Sequence, residues 1–298
     1  MKEKVHSEIQ LQNNAWAQRL VDYLNGMPCA ITPELMEEVA PQGGCERIYQ
    51  ALLSGFLGLD PDREEDRLLE DTYLRPGVHE LSANTFLNND YYRLIQIPQT
   101  GKDAWHFGYE SYQPYEAFVC DDLQVTPEGV EIPQIGYFTQ PFRYPAVYEN
   151  GREWMAIKPS EIRSMEEPVK AVSGRVVTFG LGLGYYTFMV SQKPSVESIT
   201  VVERDPSIID LFRTYLLPQF PHREKVQLVQ ADALEYLQHL PQYDYAFVDL
   251  WHDASDGLPL YLQVKAMAQR YPGTQFLYWV ERTLQSAERW KGSPPPSS

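Results

Sequence analysis

The chain has 298 residues, 43% of them hydrophobic, and a formal net charge of −16 at pH 7. This length and this share of apolar residues allow a sizeable core and exclude a largely disordered chain. The negative charge argues against nucleic acid or an anionic membrane as a partner, because both attract basic surfaces. It is compatible with a small neutral or cationic substrate, and also with a role in solubility alone.

Cysteine usage and the N-terminus indicate the compartment. Cys29, Cys45 and Cys120 lack the spacing of metal ligands, so we expect free thiols in a reducing compartment and no bound metal. We find no apolar stretch typical of a signal peptide and no run as long as a membrane span. The sequence therefore predicts a cytoplasmic protein.

Residues 1–80 are predicted to be helical. Apolar residues recur on one face of the first segment, and Asn25-Gly26 ends it. Thr32-Pro33 supplies the N-cap and first position of a second helix. Further helices are predicted over 46–57 and from 60 to about 74. We interpret the apolar stripes as the core of a helical bundle, and one stripe could alternatively form the face of a homodimer.

Residues 81–158 are predicted to form a β-rich region. Residues 91–97 alternate between apolar and polar, which is typical of a strand. The part 104–155 holds twelve aromatic residues. We expect them mostly to pack the sheet, with some Tyr and Trp rings available to line a pocket for a cation. Two turn signals predict hairpins. The turn Pro127-Glu128-Gly129 predicts a hairpin over residues 125–132, and the turn Asn150-Gly151 predicts one over residues 144–157.

Residues 159–291 alternate between helix and strand patterns, and the tail 292–298 is of low complexity. The alternation predicts an α/β fold, a Rossmann-like, doubly wound parallel sheet with helices on both faces. The predicted order is helix 160–172, strand 176–179, helix from 185, strand 198–203, helix 205–217, strand 225–230, helix 234–240, strand 243–250, helix 259–271, strand 274–280 and helix 282–290.

Three glycines with a spacing of two, Gly180, Gly182 and Gly184, follow the first predicted strand. Glycines let the backbone turn sharply and approach a ligand closely. A dinucleotide fingerprint would place its third glycine at position 185, where the chain has Tyr185, and a phosphate loop would need a lysine. The loop therefore indicates neither of these two cofactor classes.

Acidic residues end the next three predicted strands: Glu203, Asp232 and Asp249. The carboxyl ends of parallel strands meet in one crevice, where ligands of such sheets bind. The glycine loop and three acids at one crevice indicate a nucleoside-type cofactor.

On these residues, the chain from about 174 to 291 resembles the class I S-adenosylmethionine (SAM)-dependent methyltransferases, whose loop is G-x-G-x-G. The resemblance implies glycines under the methionine and ribose of SAM, Glu203 on the ribose hydroxyls and Asp232 on the adenine amino group. Asp249 would face the methionine group and the acceptor. The predicted cofactor-binding residues are Gly180, Gly182, Gly184, Tyr185, Glu203, Asp232, Ala233 and Asp249.

The chain departs from that family in two places. The family usually has an acid two residues before the first glycine to hold the methionine ammonium, and this chain has Thr178. The usual last strand hairpin is also missing after 291. We therefore expect a sheet of five strands, or one whose edge is completed by strands from 88–158. Substrate selection would then fall to the 81–158 region, acting as a lid.

The segment around the fourth strand carries a second resemblance, to spermidine synthases. It reads Tyr-Asp-Tyr-Ala-Phe-Val-Asp249-Leu-Trp-His-Asp253-Ala-Ser-Asp256-Gly-Leu-Pro-Leu-Tyr, without an intact Asp-Pro-x-Gly-Pro-Ala run. The family's Tyr-His-Glu segment upstream of the glycine loop is not recognisable. The whole chain is similar to bacterial proteins of the methyltransferase and spermidine-synthase-like group.

These resemblances predict a SAM-dependent methyltransferase acting on a small-molecule acceptor. Asp249 is the first candidate for orienting the acceptor, with His252 or Asp253 as a general base. One alternative is an aminopropyltransferase that uses decarboxylated SAM, and another is a SAM- or nucleoside-binding protein without catalysis. A nucleic-acid methyltransferase is disfavoured by the charge and by the lack of an Asn/Asp-Pro-Pro-Tyr segment after the fourth strand.

Overall fold

The computed structural model describes residues 2–40, 46–252 and 254–291. Cys45, Asp253 and the tail 292–298 lie outside these described residues. The chain divides into two compact units. The first unit takes the described residues up to Thr85 together with Ser111–Arg143, and the second takes Phe86–Glu110 and the described residues from Tyr144 onwards. Both units contain residues of the predicted 81–158 region.

Helices and strands cover most of the described residues. The helices are α1 (Lys2–Gly26), α2 (Pro33–Val39), α3 (Glu46–Phe56), α4 (Glu64–Leu69), α5 (Arg75–Gly77), α6 (Ala83–Leu87), α7 (Asp90–Leu94), α8 (Pro159–Ala171), α9 (Tyr185–Ser191), α10 (Pro206–Leu211), α11 (Ala233–Gln238), α12 (Ala254–Ala268) and α13 (Glu281–Lys291). The strands are β1 (Val78–Glu80), β2 (Gly101–Lys102), β3 (Trp105–Tyr112), β4 (Phe118–Val119), β5 (Gln124–Val125), β6 (Glu131–Ile132), β7 (Ile135–Tyr137), β8 (Phe142–Glu149), β9 (Arg152–Ala156), β10 (Gly174–Phe179), β11 (Val196–Glu203), β12 (Val226–Gln230), β13 (Tyr245–Val248) and β14 (Gln275–Tyr278). Short π-helical turns follow α4 and α10, at Glu70–Leu74 and Phe212–Leu216, and 3-10 turns lie at Leu217–Gln219 and Arg223–Lys225.

The first unit is built on α1 to α5 and two small sheets, with strand orders β1-β7-β4 and β5-β6. Trp16 stacks on Tyr73 with ring centroids 5.4 Å apart, and both rings are buried. The buried amide of Asn13 accepts hydrogen bonds from the Tyr73 hydroxyl (2.9 Å) and the Glu131 N–H (3.0 Å). It also donates to the Gly129 carbonyl (2.9 Å). These three hydrogen bonds connect α1 to the β5–β6 hairpin.

The strand predicted over 91–97 is wrong, because α7 occupies Asp90–Leu94. The Asn89 side chain accepts a hydrogen bond from the Tyr91 N–H (2.9 Å) and caps the helix. This cap favours helix over the alternating pattern. Only the residues after Leu94 are extended.

Both predicted hairpins are confirmed, as β5–β6 and β8–β9. In the β8–β9 turn, Asn150 has φ 52° and Gly151 has φ 79°. Two successive residues with positive φ match the right-handed twist of the flanking strands, which is why Asn-Gly is favoured there. In the second unit, β8 and β9 belong to a sheet with the order β2-β3-β8-β9.

The second unit contains the predicted five-stranded parallel sheet, with the order β12-β11-β10-β13-β14. Val176, Val177 and Phe179 of the central strand β10 are fully buried. Within the described part of the chain, strands from 88–158 pair in separate sheets rather than at its edge. The prediction of a mixed α/β fold with a parallel sheet is therefore confirmed, in its five-stranded form.

Two helices of this unit differ from their predicted bounds. The helix predicted over 259–271 begins already at Ala254, with Pro259 inside it. The helix predicted over 205–217 ends as α10 at Leu211 and continues as a π-helical turn. Among the helices that the structure describes, none is long and apolar enough to cross a membrane.

Candidate functional site

A cavity of about 300 Å³ lies in the second unit, where β10, β11, β12 and β13 end. Crevices at the carboxyl ends of parallel strands are the usual ligand sites of such sheets, and the volume is at the lower end for ligand pockets. The described residues that line it are Glu153, Trp154, Met155, Ala156, Lys158, Glu161, Gly180, Leu181, Gly182, Val202, Glu203, Arg204, Ala231, Asp232, Ala233, Leu234, Asp249, Leu250, Trp251, His252, Leu260 and Trp279.

The glycine loop between β10 and α9 forms one wall. Gly180, Gly182 and Gly184 have φ values of 100°, 50° and 74°. A Cβ on Gly180 would lie 2.0 Å from the backbone oxygen of Asp249, and a Cβ on Gly182 would lie 3.2 Å from Met155. Glycine at position 180 is therefore required by the close approach of the chain after β13.

Gly184 and Tyr185 are not among the residues that line the cavity. Gly184 is the N-cap of α9, and a Cβ there would lie 2.2 Å from the Phe212 ring. The Tyr185 hydroxyl accepts a hydrogen bond from the Asn89 amide (2.9 Å). The structure gives both residues packing roles, and their part in cofactor binding stays a prediction.

Helix α7 braces the glycine loop. The buried Tyr91 hydroxyl donates a 2.6 Å hydrogen bond to the Leu183 carbonyl, and its ring packs edge-on against Phe188 of α9. The conformation of the glycine loop thus depends on α7, which is remote from it in sequence.

We expect Tyr91→Phe to destabilise the protein by about 1–2 kcal/mol, because the buried Leu183 carbonyl would lose its donor. Urea denaturation measures the change. Tyr215→Phe is the matched control, since that ring is 40% exposed, and it should have little effect. Equal stability of the two variants would contradict the bracing role.

Glu203 ends β11 and lies in the cavity wall. Its Oε1 accepts hydrogen bonds from the N–H groups of Arg204 (2.8 Å) and Asp205 (3.0 Å). Burial raises the pKa of Glu203, although these two N–H groups and that of Leu181 in the glycine loop act to lower it. The backbone thus fixes this carboxylate beside the glycine loop.

Asp232 and Ala233 lie at the start of α11, after β12. The Asp232 Oδ1 accepts hydrogen bonds from the N–H groups of Leu234 (2.9 Å) and Glu235 (3.1 Å), so the residue is the helix N-cap. Both Asp232 and Ala233 line the cavity. Capping holds the carboxylate at the cavity edge.

Asp249 follows β13 directly and shares the cavity wall with Glu161 of α8. Burial raises the pKa of Asp249 to about 7. The pKa of Glu161 is raised well above its usual value by burial and by the charge of Asp249, while Lys158 opposes the shift. Two carboxyl groups so placed resist simultaneous ionisation unless a cation joins them.

The wall is acidic and aromatic. Lys158 lies 3.1 Å from Glu153, so its charge is already paired. Three indole rings, of Trp154, Trp251 and Trp279, complete the wall. The described residues of the wall include two cationic side chains, Lys158 and Arg204. They also include five acidic side chains: Glu153, Glu161, Glu203, Asp232 and Asp249.

A hydrogen bond to α8 holds the Trp279 ring, and the backbone that follows it has an unusual conformation. Its Nε1 donates to the Ser164 hydroxyl of α8 (2.9 Å), and the next residue, Val280, has φ 45°. A β-branched residue rarely adopts that conformation, so its surroundings must enforce it. The result is a fixed indole in the cavity wall.

Of the predicted catalytic residues, Asp249 and His252 line the cavity and Asp253 lies outside the described residues. The His252 ring lies 6.3 Å from the Trp154 ring, and the backbone N–H of His252 donates a hydrogen bond to the Asp256 carboxylate (3.3 Å). Their catalytic roles stay predictions.

Three residues of the cavity wall, Lys158, Glu161 and Trp279, are not predicted from the sequence. Glu161 lies two residues after Pro159, in the first turn of α8, where an acid is ordinary. Its only distinguishing sign is burial, which depends on contacts with distant parts of the chain.

One family model matches part of the chain. Residues 169–263 match the family model of the spermine/spermidine synthase domain, a stretch that includes the glycine loop and the three strand-end acids. This match confirms the predicted resemblance of the segment to the group of SAM-using transferases that includes spermidine synthases. No curated protein matches the chain.

Many solved structures match the chain, and two of them serve as examples. One is a putative O-methyltransferase from Klebsiella pneumoniae, with 20% identity, a TM-score of 0.30 and coverage of 43% of this chain and 64% of that chain. The other is an O-methyltransferase from Bacillus cereus in complex with SAH, with 17% identity, a TM-score of 0.29 and coverage of 40% and 63%. The chain thus spans less than two thirds of either structure.

Proposed function

We propose that this protein is a transferase that binds a SAM-type nucleoside in the cavity and alkylates a small-molecule acceptor. One observation carries the proposal: the glycine loop, Glu203, Asp232 and Asp249 border a single cavity at the strand ends. We also assign the sheet to the Rossmann-like class on its strand order.

The residues present fit such a nucleoside. Ribose hydroxyls and the adenine amino group are hydrogen-bond donors, and Glu203 and Asp232 are acceptors. A sulfonium is a cation, which suits a wall with an excess of carboxylates and three indole rings. The positive φ values at Gly180 and Gly182 let the backbone border the ligand without side chains between them.

Each residue then has a proposed role. Glu203 accepts hydrogen bonds from the ribose, Asp232 contacts the adenine, and Asp249 orients the acceptor. The bound nucleoside supplies an electrophilic carbon on sulfur, so the protein mainly positions the reactants. With a pKa of about 7, Asp249 can take a proton from the acceptor near neutral pH.

Methyl transfer from SAM is our first assignment, because the Asp-Pro-x-Gly-Pro-Ala run of spermidine synthases is not intact after β13. Aminopropyl transfer from decarboxylated SAM is the second candidate. The family match over residues 169–263 favours this second candidate. The excess of acidic side chains in the wall favours it as well, because decarboxylated SAM lacks the carboxylate that these acids would repel.

Calorimetric titration separates the candidates. The ligands are SAM, S-adenosylhomocysteine (SAH), decarboxylated SAM and 5′-methylthioadenosine. Tighter binding of SAM and SAH supports a methyltransferase, and tighter binding of the other two supports an aminopropyltransferase. Binding without turnover in an acceptor screen would indicate a nucleoside-binding protein, and binding of none of the four would refute the proposal.

We expect Glu203→Gln to weaken nucleoside binding by about 10- to 100-fold, because an amide replaces a charged acceptor of hydrogen bonds. Glu197→Gln is the matched control, since Glu197 lies on the same strand and is exposed. Calorimetry with SAH and 5′-methylthioadenosine measures both variants. Unchanged affinity in Glu203→Gln would remove this residue from the site.

A further inference from the structure

Glu161 carries a buried carboxylate that no described residue satisfies by hydrogen bonding. Its side chain is in the cavity wall, yet the residue is only 4% exposed. Within the described ranges, neither its carboxylate nor that of Asp249 accepts a hydrogen bond. A buried carboxylate in a cavity wall, with a second, half-buried carboxylate in the same wall, points to a ligand with hydrogen-bond donors.

The surroundings favour a cationic ligand. Asp249 and Glu161 repel one another, and Lys158 opposes this only partly because it is paired with Glu153. Burial raises the pKa of the Tyr185 hydroxyl, and the charges of Glu161 and Glu166 raise it further, against the hydrogen bond from Asn89. A positively charged group between the two carboxylates would relieve the repulsion and supply hydrogen bonds to both.

In the methyltransferases that the chain resembles, an acid at the position of Thr178 binds the methionine ammonium. Thr178 cannot provide this contact. It lies in the middle of the sheet, between Val201 of β11 and Phe247 of β13, and is 2% exposed. It is not among the residues that line the cavity. An ammonium group of the ligand must therefore find its acid on another element.

We propose that Glu161 of α8 holds the ammonium group of the ligand's amino-acid or aminopropyl tail, in place of the acid missing at position 178. This inference rests on the proposed function. The order of strands supports it: Asp232 and Glu203 follow β12 and β11, whereas Asp249 follows β13, on the other side of β10. The nucleoside would occupy the first side, which leaves the Glu161–Asp249 side for the cationic tail.

The test compares two ligands that differ in this tail. SAH carries an ammonium group, and 5′-methylthioadenosine keeps the nucleoside but has none. We expect Glu161→Gln to weaken SAH binding by about 10- to 100-fold and to change 5′-methylthioadenosine binding by less than about threefold. Glu167→Gln on the same helix, whose side chain is 84% exposed, is the control and should bind both ligands like the wild type.

Each other outcome is decisive. Unchanged SAH affinity in Glu161→Gln, or an equal loss for both ligands, overturns the assignment of Glu161 while the proposed function stands. Failure of the wild type to bind SAH, 5′-methylthioadenosine, SAM or decarboxylated SAM refutes the proposed function itself. Should Glu161→Gln not fold, Glu161→Asp gives the same comparison, because the shorter side chain withdraws the charge and should weaken SAH alone.

Discussion

Replacing Gly180 with alanine is expected to destabilise the protein by about 3–5 kcal/mol and to abolish nucleoside binding. The new Cβ would lie 2.0 Å from the Asp249 backbone oxygen, and φ is 100° at this position. Neither the loop nor the chain after β13 can move away without deforming the cavity that both border. Urea denaturation and calorimetry with SAH measure the two effects.

Gly55→Ala is the matched control for this substitution. Gly55 lies in α3, is exposed, and has no atom within 4 Å of an added Cβ. Alanine in a helix should stabilise the protein by about 0.5–1 kcal/mol. A Gly180→Ala protein with wild-type stability and SAH affinity would show that the loop is not the rigid wall described above.

Asp249→Asn is expected to make the protein more stable at pH 8, by an amount on the order of 2–4 kcal/mol. The pKa of Asp249 is about 7 in the folded state and 3.8 for the ordinary group. At a pH between these two pKa values, the folded protein keeps a proton on Asp249 that the unfolded chain has released. Stability therefore falls as pH rises through this window and levels off above about 7.

Denaturation from pH 4 to 8 checks this prediction. Asn does not titrate, so the decline should be shallower in the variant, and Glu161 should lose the repulsion that Asp249 exerts on it. Asp244→Asn is not a suitable control, because that side chain accepts a hydrogen bond from Arg175 N–H. Exposed Glu197→Gln is suitable. An equally steep decline in Asp249→Asn and the wild type would contradict the burial of this carboxyl group.

The same variant tests catalysis once a donor and an acceptor are known. Asp249→Asn should keep most of the affinity for 5′-methylthioadenosine, which has no ammonium group, and lose turnover by about 10²- to 10⁴-fold, the usual contribution of a positioned base.

The sheet could be predicted because its signals are local. Val176 and Val177 belong to a β-branched run, and glycines and a strand-end acid follow in the order that a parallel sheet requires. The strand predicted at 91–97 failed because one cap, from Asn89, overrides an alternating pattern. In so short a segment, an alternating pattern of apolar and polar residues is too weak a signal to exclude a capped helix.

The site was predictable in part, for a geometric reason. Parallel strands bring their carboxyl ends together, so residues far apart in sequence, such as Gly180, Glu203 and Asp249, line one cavity. Glu161 could not be found this way, since α8 precedes the sheet and its packing against the cavity is a long-range contact. The roles of all these residues in binding and catalysis remain predictions.

The most direct measurement is a crystal structure of the protein grown with saturating SAH. We predict density for the nucleoside in the cavity at the ends of β10, β11 and β13, with ribose oxygens within hydrogen-bonding distance of Glu203. A cavity filled only by solvent, or SAH bound elsewhere on the molecule, would contradict the proposed function.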